Sequence, residues 1–312
     1  MSRWRILCID GGGILGLIPA VILAEIEARA GKLAGQLFDL VSGTSTGGII
    51  ASAAAAGIPA SRVADLYRQR GRAIFSKSLR HRLATGWGLW GPQYGAKGIE
   101  AALADVFGDL MLSDCTAELL VPAYDIGARA PLLFKSTKAR EPRRNYFLRD
   151  VCRATSAAPT YFPPARIASQ AGDMATLVDG GLYANNPAAL AVPQALKADR
   201  LDEVFMLSLG TGDINQPYLY REAKGWGLAK WARPLIGCMF DGQSDVSSYG
   251  CSVLLGDRYV RLQPALAHEQ GMDDVSEAAL ETLEAVARGL IAERDAELDR
   301  ICEMLLPRSA AA

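Results

Sequence analysis

The sequence is poor in histidine: His81 and His268 are the only two in 312 residues. Any chemistry that needs an imidazole rests on one of them. A CxxC pair or a Cys/His cluster is also lacking, since Cys8, Cys115, Cys152, Cys238, Cys251 and Cys302 are scattered along the chain. That spacing argues against zinc and against a disulfide framework. Cys8, inside the apolar run RILCID, reads as a small buried hydrophobe in a reducing compartment. Neither sign of charge dominates: 33 basic against 34 acidic residues leave a net charge of −1, with no general pull toward nucleic acid or anionic lipid. The most apolar stretch, GGIIASAAAAGI, is too short to span a bilayer, and the opening MSRWRILCIDGGG shows no apolar signal region. Repeats, low-complexity tracts and Pro/Ser-rich linkers are missing. The expectation is a cytoplasmic protein of one domain, residues 1–312, without a nucleic-acid partner. Contact with a membrane would be peripheral, apolar and local.

What is present is a globular composition, half hydrophobic and 21% charged, enough to build a sizeable core. WRILCID is a nearly continuous apolar run ending in glycines, as a central parallel strand requires, and LIPAVILAEIEARAG follows with helical spacing and a glycine stop. LFDLVSG and TGGIIASAAAAG repeat the pair. Further strand candidates are LLVPAYDI, LLFKST, TLVDGG and VFMLSLGTG. Further helix candidates are PASRVADLYRQRGRAIF, GIEAALADVFGD, NNPAALAVPQALKADR and one long C-terminal helix over residues 273–306. In NNPAAL, Asn186 suits a cap and Pro187 a first turn. The alternation predicts a three-layer α/β/α sandwich with a mostly parallel central sheet. The motif-bearing core runs over about residues 5–212, and a helical part over about 213–306.

Three strand-end motifs carry the chemistry. GTSTG, residues 43–47, is Gly-x-Ser-x-Gly between a predicted strand and a predicted helix. A serine held in so sharp a turn needs small neighbours, Gly43 and Gly47, so that its hydroxyl stands clear of the backbone. DGGGILG, residues 10–16, follows the first strand; its amides can converge on a negative oxygen, each donor contributing about 3–4 kcal/mol to a developing oxyanion. Gly11, Gly13 and Gly16 also match the dinucleotide fingerprint, but Asp39 precedes the second strand where that fingerprint wants an acid at its end. In TLVDGG, Asp179 closes a strand and Gly180 and Gly181 turn the chain away, either as a reactive carboxylate near Ser45 or as a plain Asp-Gly turn.

With these residues in hand the chain resembles the patatin-like phospholipases, a family of lipid acyl hydrolases. The Asp-Gly-Gly-Gly loop, the serine elbow and the later Asp-Gly-Gly occur in the family's order, and RATSAAPTYFPP, NNP and SLGTG extend the resemblance over most of the chain. It implies Ser45 as nucleophile, Asp179 as its base without histidine, and the amides of Gly11, Gly12 and Gly13 as oxyanion hole, with Asp10, Gly16, Gly43, Gly47, Gly180 and Gly181 shaping the loops. The activity implied is of phospholipase A or lysophospholipase type on a lipid or phospholipid, through an acyl-enzyme and without metal or organic cofactor. A free aspartate has a pKa of about 3.9, so an apolar surround is expected to raise it, with Tyr161 and Phe162 as a candidate wall.

One departure stands out. The family often carries Arg or Lys where this chain has Leu15, and Arg153, read at a helix start, is either a substitute or a structural ion-pair residue. Trp87, Trp90, Trp226 and Trp231 sit among glycines and serve either an interfacial lid or loop packing. The alternatives to the dyad are a Ser45–Asp179–His268 triad, a dinucleotide-binding oxidoreductase, and a non-catalytic lipid-binding protein.

Overall fold

A computed structural model describes residues 4–76, 91–213, 217–268 and 270–306. His81, Trp87 and Trp90 lie outside the described residues. Among the described residues, eight strands form one sheet: β1 Trp4–Ile9, β2 Leu40–Gly43, β3 Glu118–Asp125, β4 Ala130–Lys135, β5 Ala165–Ala168, β6 Met174–Asp179, β7 Val204–Leu209 and β8 Tyr259–Leu262. Their order is β5-β6-β3-β2-β1-β7-β8, with β4 paired to β3. The run β3-β2-β1-β7-β8 is parallel, while β4, β5 and β6 join antiparallel.

The layers follow from side-chain alternation on strands buried on both faces. Leu7 and Ile9 of β1 join the larger core, whereas Trp4, Ile6 and Cys8 join a smaller one behind the sheet. The larger core is covered by α1 Leu17–Ala30, α2 Thr46–Ala55, α3 Ala60–Ile74, α4 Ala96–Phe107 and α5 Leu148–Thr155. The other face carries α6 Ala188–Lys197 and α7 Leu228–Leu255. Two further helices, α8 Glu277–Glu293 and α9 Asp295–Leu305, pack on α1 over the larger core.

Several sequence readings change here. The single C-terminal helix is two, broken at Arg294, which leaves helical geometry with φ −106° and ψ 23°. The segment after residue 212 is not only helical, since it supplies β8 to the sheet. The tryptophan-bearing stretch after residue 224 feeds into the 28-residue helix α7. Arg153 belongs to the last turn of α5 and not to a helix start. Among the described residues no helix is long and apolar enough to cross a membrane.

One buried carboxylate fixes how α1 meets its neighbours. Glu27 accepts the amide of Ala34 at 2.8 Å and that of Ala60, the first residue of α3, at 2.9 Å. Those amides have no intrahelical partner, so the side chain does what water would do at an exposed helix start. Glu27→Ala leaves both buried donors unsatisfied and is expected to cost about 2–4 kcal/mol, read as a lower urea midpoint at unchanged m-value. A loss below a few tenths of a kcal/mol would refute this role.

Candidate active site

The site is set by how strands share one edge of β3. On one side β3 pairs with β4 along residues 120–125. On the other it pairs with β2 as far as Ser42↔Leu120, and then, from Ala123↔Asp179 onward, with β6. Because β2 is parallel to β3 and β6 is antiparallel, the two strands run toward each other and their carboxyl ends meet. Ser45, two residues past β2, and Asp179, the last residue of β6, therefore face each other across the gap. The general rule that ligands gather at the carboxyl ends of parallel strands points to this gap, although β6 itself is antiparallel.

The gap exposes the carbonyl of Pro122, which no strand can pair. The Thr155 hydroxyl donates to it at 2.6 Å and accepts the Ser45 amide at 3.0 Å. Thr155 thus joins the interrupted ladder to the serine turn. Ser45 has φ 55° and ψ −121°, a backbone conformation rarely adopted by a residue with a Cβ and maintained only when its surroundings hold it. The chain rises into this turn at Gly43 and leaves it into α2, whose second residue, Gly47, packs so closely on the carbonyls of Ile9 and Asp10 that a Cβ there would collide with both. Thr44 anchors the turn from below by donating to the carbonyl of Ala184 at 2.6 Å.

Asp179 is buried, with Oδ1 accepting the amide of Gly181 at 2.7 Å, and it lines the same cavity as Ser45. Burial pushes its pKa up to about 7; the Gly181 amide and the Ser45 side chain only partly oppose this. Gly180 starts the turn after β6, and Gly181 packs against Phe240 of α7. The wall around the carboxyl is apolar, and it includes Tyr161 and Phe162 with Phe75, Ile236 and Leu182.

The glycine loop divides its labour. The Gly11 amide is already bonded to the Asn185 carbonyl at 3.0 Å, so this position, expected among the oxyanion donors, locks the loop instead. Gly12 and Gly13 line the cavity beside Ser45, and among the described residues no acceptor is placed against their amides. Gly13 has φ 61° and backs onto the Met272 carbonyl, leaving no room for a Cβ. Gly16 ends the short helical turn before α1 with Thr46 against it. Asp10 lies under the loop in a two-pronged ion pair with Arg261, at 2.9 and 2.5 Å. Thr211, in the SLGTG turn, donates to the Gly11 carbonyl at 2.8 Å.

Other candidates are placed elsewhere. His268 is exposed and does not line the cavity. Asp39 is tied to Arg5 by the amide and the guanidinium, so it serves no ribose, and Met272 fills the space a pyrophosphate would need beside Gly13. Asn185 and Asn186 build the turn: Asn185 donates to Ser244, and Asn186 accepts the Ala188 amide at the start of α6. Leu15 is buried in the larger core. Arg153 is buried against Glu100 and the Pro163 carbonyl, a structural position outside the cavity wall. Sequence reasoning missed Arg261, Thr155, Thr211 and Met272; Thr155 and Thr211 lay inside quoted motifs, whereas Arg261 sat on an unrecognised strand.

A strained serine turn against a buried carboxyl, with two open amides beside an apolar cavity, is an arrangement that acyl-transfer chemistry can use. The comparisons name the family. The family model described as patatin-like phospholipase matches residues 7–192. Patatin-like protein 1 of Oryza sativa subsp. indica is 31% identical, covering 94% of this chain and 82% of that one. Patatin-like protein 2 of Arabidopsis thaliana is 31% identical over 91% and 81%, and patatin group J-1 of Solanum tuberosum 30% over 92% and 83%. The chain belongs to the patatin-like phospholipase family of lipid acyl hydrolases.

The raised pKa of Asp179 has a consequence for stability. The native carboxyl, near 7, holds its proton far more tightly than the unfolded one, near 3.8. The stability this provides is complete below about pH 4 and is lost as pH rises through 7. Asp179→Asn removes the penalty of a buried charge, so its melting temperature relative to the parent is expected to climb between pH 4 and pH 8 in calorimetry. A difference independent of pH would contradict the shifted carboxyl.

Proposed function

We propose that Ser45 and Asp179 form a two-residue catalytic unit that cleaves fatty acyl esters of lipids, in the manner of a phospholipase A or lysophospholipase. The observation that carries this reading is that Ser45, in its strained turn, and the buried Asp179 line one cavity, within walls that raise the carboxyl to about 7. A general base works best with a pKa near the operating pH, and burial alone supplies that value here. The apolar cavity between Ser45, Ile49, Ile74, Phe75, Ile99 and Phe162 suits an acyl chain and offers nothing to a charged one.

Ser45 Oγ attacks the ester carbonyl while its proton passes to the Asp179 carboxylate. The carbonyl oxygen, now an anion, is held by the amides of Gly12 and Gly13, with Asp10, Arg261 and Thr211 keeping the loop in place. The tetrahedral adduct collapses, the carbon–oxygen bond to the alcohol breaks, and Asp179 returns its proton to the leaving oxygen. Water then gives a proton to Asp179 and its oxygen to the acyl carbon; collapse of this second adduct frees the fatty acid, and Asp179 reprotonates Ser45. Since Leu15 is buried and Arg153 lies outside the cavity wall, neither meets a phosphate there, and recognition rests on the acyl chain more than on the head group.

Both Ser45→Ala and Asp179→Asn are expected to lower kcat/KM on a soluble ester by at least about 1,000-fold. The parent should lose activity tenfold per pH unit below about 7 and level off above it, because only the ionised carboxylate accepts the proton. An Asp179→Asn enzyme retaining a tenth of the parent activity would overturn the assignment.

A further inference from the structure

Helix α7 shows two different faces. Its inner face is docked by polar contacts: Gln243 donates to the Leu182 carbonyl, Ser244 accepts from Asn185, and Ser247 bridges Asn186 and Ala189. Cys251 and Leu255 complete it in the smaller core. Its outer face carries Trp231, Leu235, Met239, Val246, Tyr249 and Val253, with Gly242 between them. Successive positions are three or four residues apart, which puts them on one side of a helix.

That side is exposed. Leu235 is 51% accessible, Val246 and Tyr249 are 72% each, and Val253 is 65%. Among the described residues no charged side chain interrupts the stripe; Asp241 and Asp245 lie to one side of it. From residue 231 to 253 it runs roughly 33 Å at 1.5 Å per residue. An unbroken apolar face of this length marks an interaction surface in a water-soluble chain.

Two features of this helix and of the segment leading into it say what covers it. First, the stripe is continuous with the site: Met239 belongs to it and also lines the cavity, beside Ile236 and Phe240 one helix face further in. Second, its amino-terminal end is aromatic and flanked by cations. Trp231 packs edge-on to Trp226, and Trp226 to Tyr218, with ring centroids 5.2 and 5.5 Å apart, and Lys224 and Lys230 are exposed beside them. Amphipathic rings and lysines at the rim of an apolar face are the composition of a helix lying at a lipid–water boundary.

We propose that the outer face of α7 docks on a phospholipid bilayer, seated in its outer acyl layer, and passes acyl chains to Ser45 past Met239. This rests on the acyl-hydrolase reading and adds where the substrate comes from. The stripe supplies the adhesion that a net charge of −1 cannot, so binding to uncharged lipid should be strong and only weakly dependent on salt.

The test uses the full-length protein, flotation with phosphatidylcholine vesicles, and the variant Val246→Glu/Tyr249→Glu/Val253→Glu, whose sites are exposed and outside the cavity wall. The parent should float with the vesicles. The variant should bind at least about tenfold less and hydrolyse vesicle phospholipid at least tenfold more slowly, while turning over a soluble short-chain ester within about twofold of the parent. A parent that stays off the vesicles yet hydrolyses the soluble ester overturns the docking face. So does a variant that floats like the parent. Conversion of a parent dimer to a monomer by these substitutions, with flotation unchanged, would assign the face to a second copy of the chain. Absence of soluble-ester turnover in the parent would sink the hydrolase reading instead, and flotation would still judge the docking surface.

Discussion

The structure depends on one edge of β3 being shared by two strands that run toward each other. A parallel α/β sheet delivers its loops to one end, but it does not by itself bring a second strand's final residue up to the serine turn. Here β2 stops at the Leu120 position and β6 begins its pairing at Ala123. The interval between them is filled by a threonine hydroxyl on the Pro122 carbonyl. Ser45 and Asp179 owe their meeting to that break in the ladder. Backbone hydrogen bonding fixes the pair at least as firmly as side-chain packing does, because a buried carbonyl without a partner is costly.

Burial then decides what the pair can do. The same apolar walls that suit an acyl chain remove water from Asp179 and lift its pKa to the range of an ordinary imidazole. In the proposed mechanism, a fold with only two histidines runs base chemistry near neutrality in this way. The cost is stored in the native state, as a backbone strain at Ser45 and a carboxyl that resists ionisation, and is met by the interlocked loops around it. The Asp10–Arg261 pair, the Thr211 clamp and the Met272 carbonyl all press on the glycine loop from strands and loops far away in sequence. The loop is held from outside because its own glycines supply no side chains to hold it.

Much of this was legible in the residues. The alternation of apolar runs and helical stripes gave the three layers, and the three glycine-bearing strand ends located Ser45, Asp179 and the loop at Asp10. The misses have physical reasons. Short edge strands such as β5 and β8 expose alternating or polar residues and leave little signal, so Arg261 went unnoticed. Helix α7 begins in a run of glycine, tryptophan and proline that punctuates like a loop, and its outer face is apolar where a surface helix is usually polar. Arg294 breaks the C-terminal helix inside a sequence whose periodicity continues smoothly. The work of the Gly11 amide was invisible as well: sequence marks glycines that can present a donor, and only the fold shows that Asn185 has already taken this one.

The proposed mechanism has a carboxylate activate Ser45 with no histidine involved. The most direct measurement is the rate at which a fluorophosphonate modifies Ser45, followed by mass spectrometry, in the parent and in a His81→Ala/His268→Ala variant. The claim requires labelling within about twofold of the parent, with the same rise through pH 7 set by Asp179. A histidine-free variant that folds but leaves Ser45 unlabelled would contradict it.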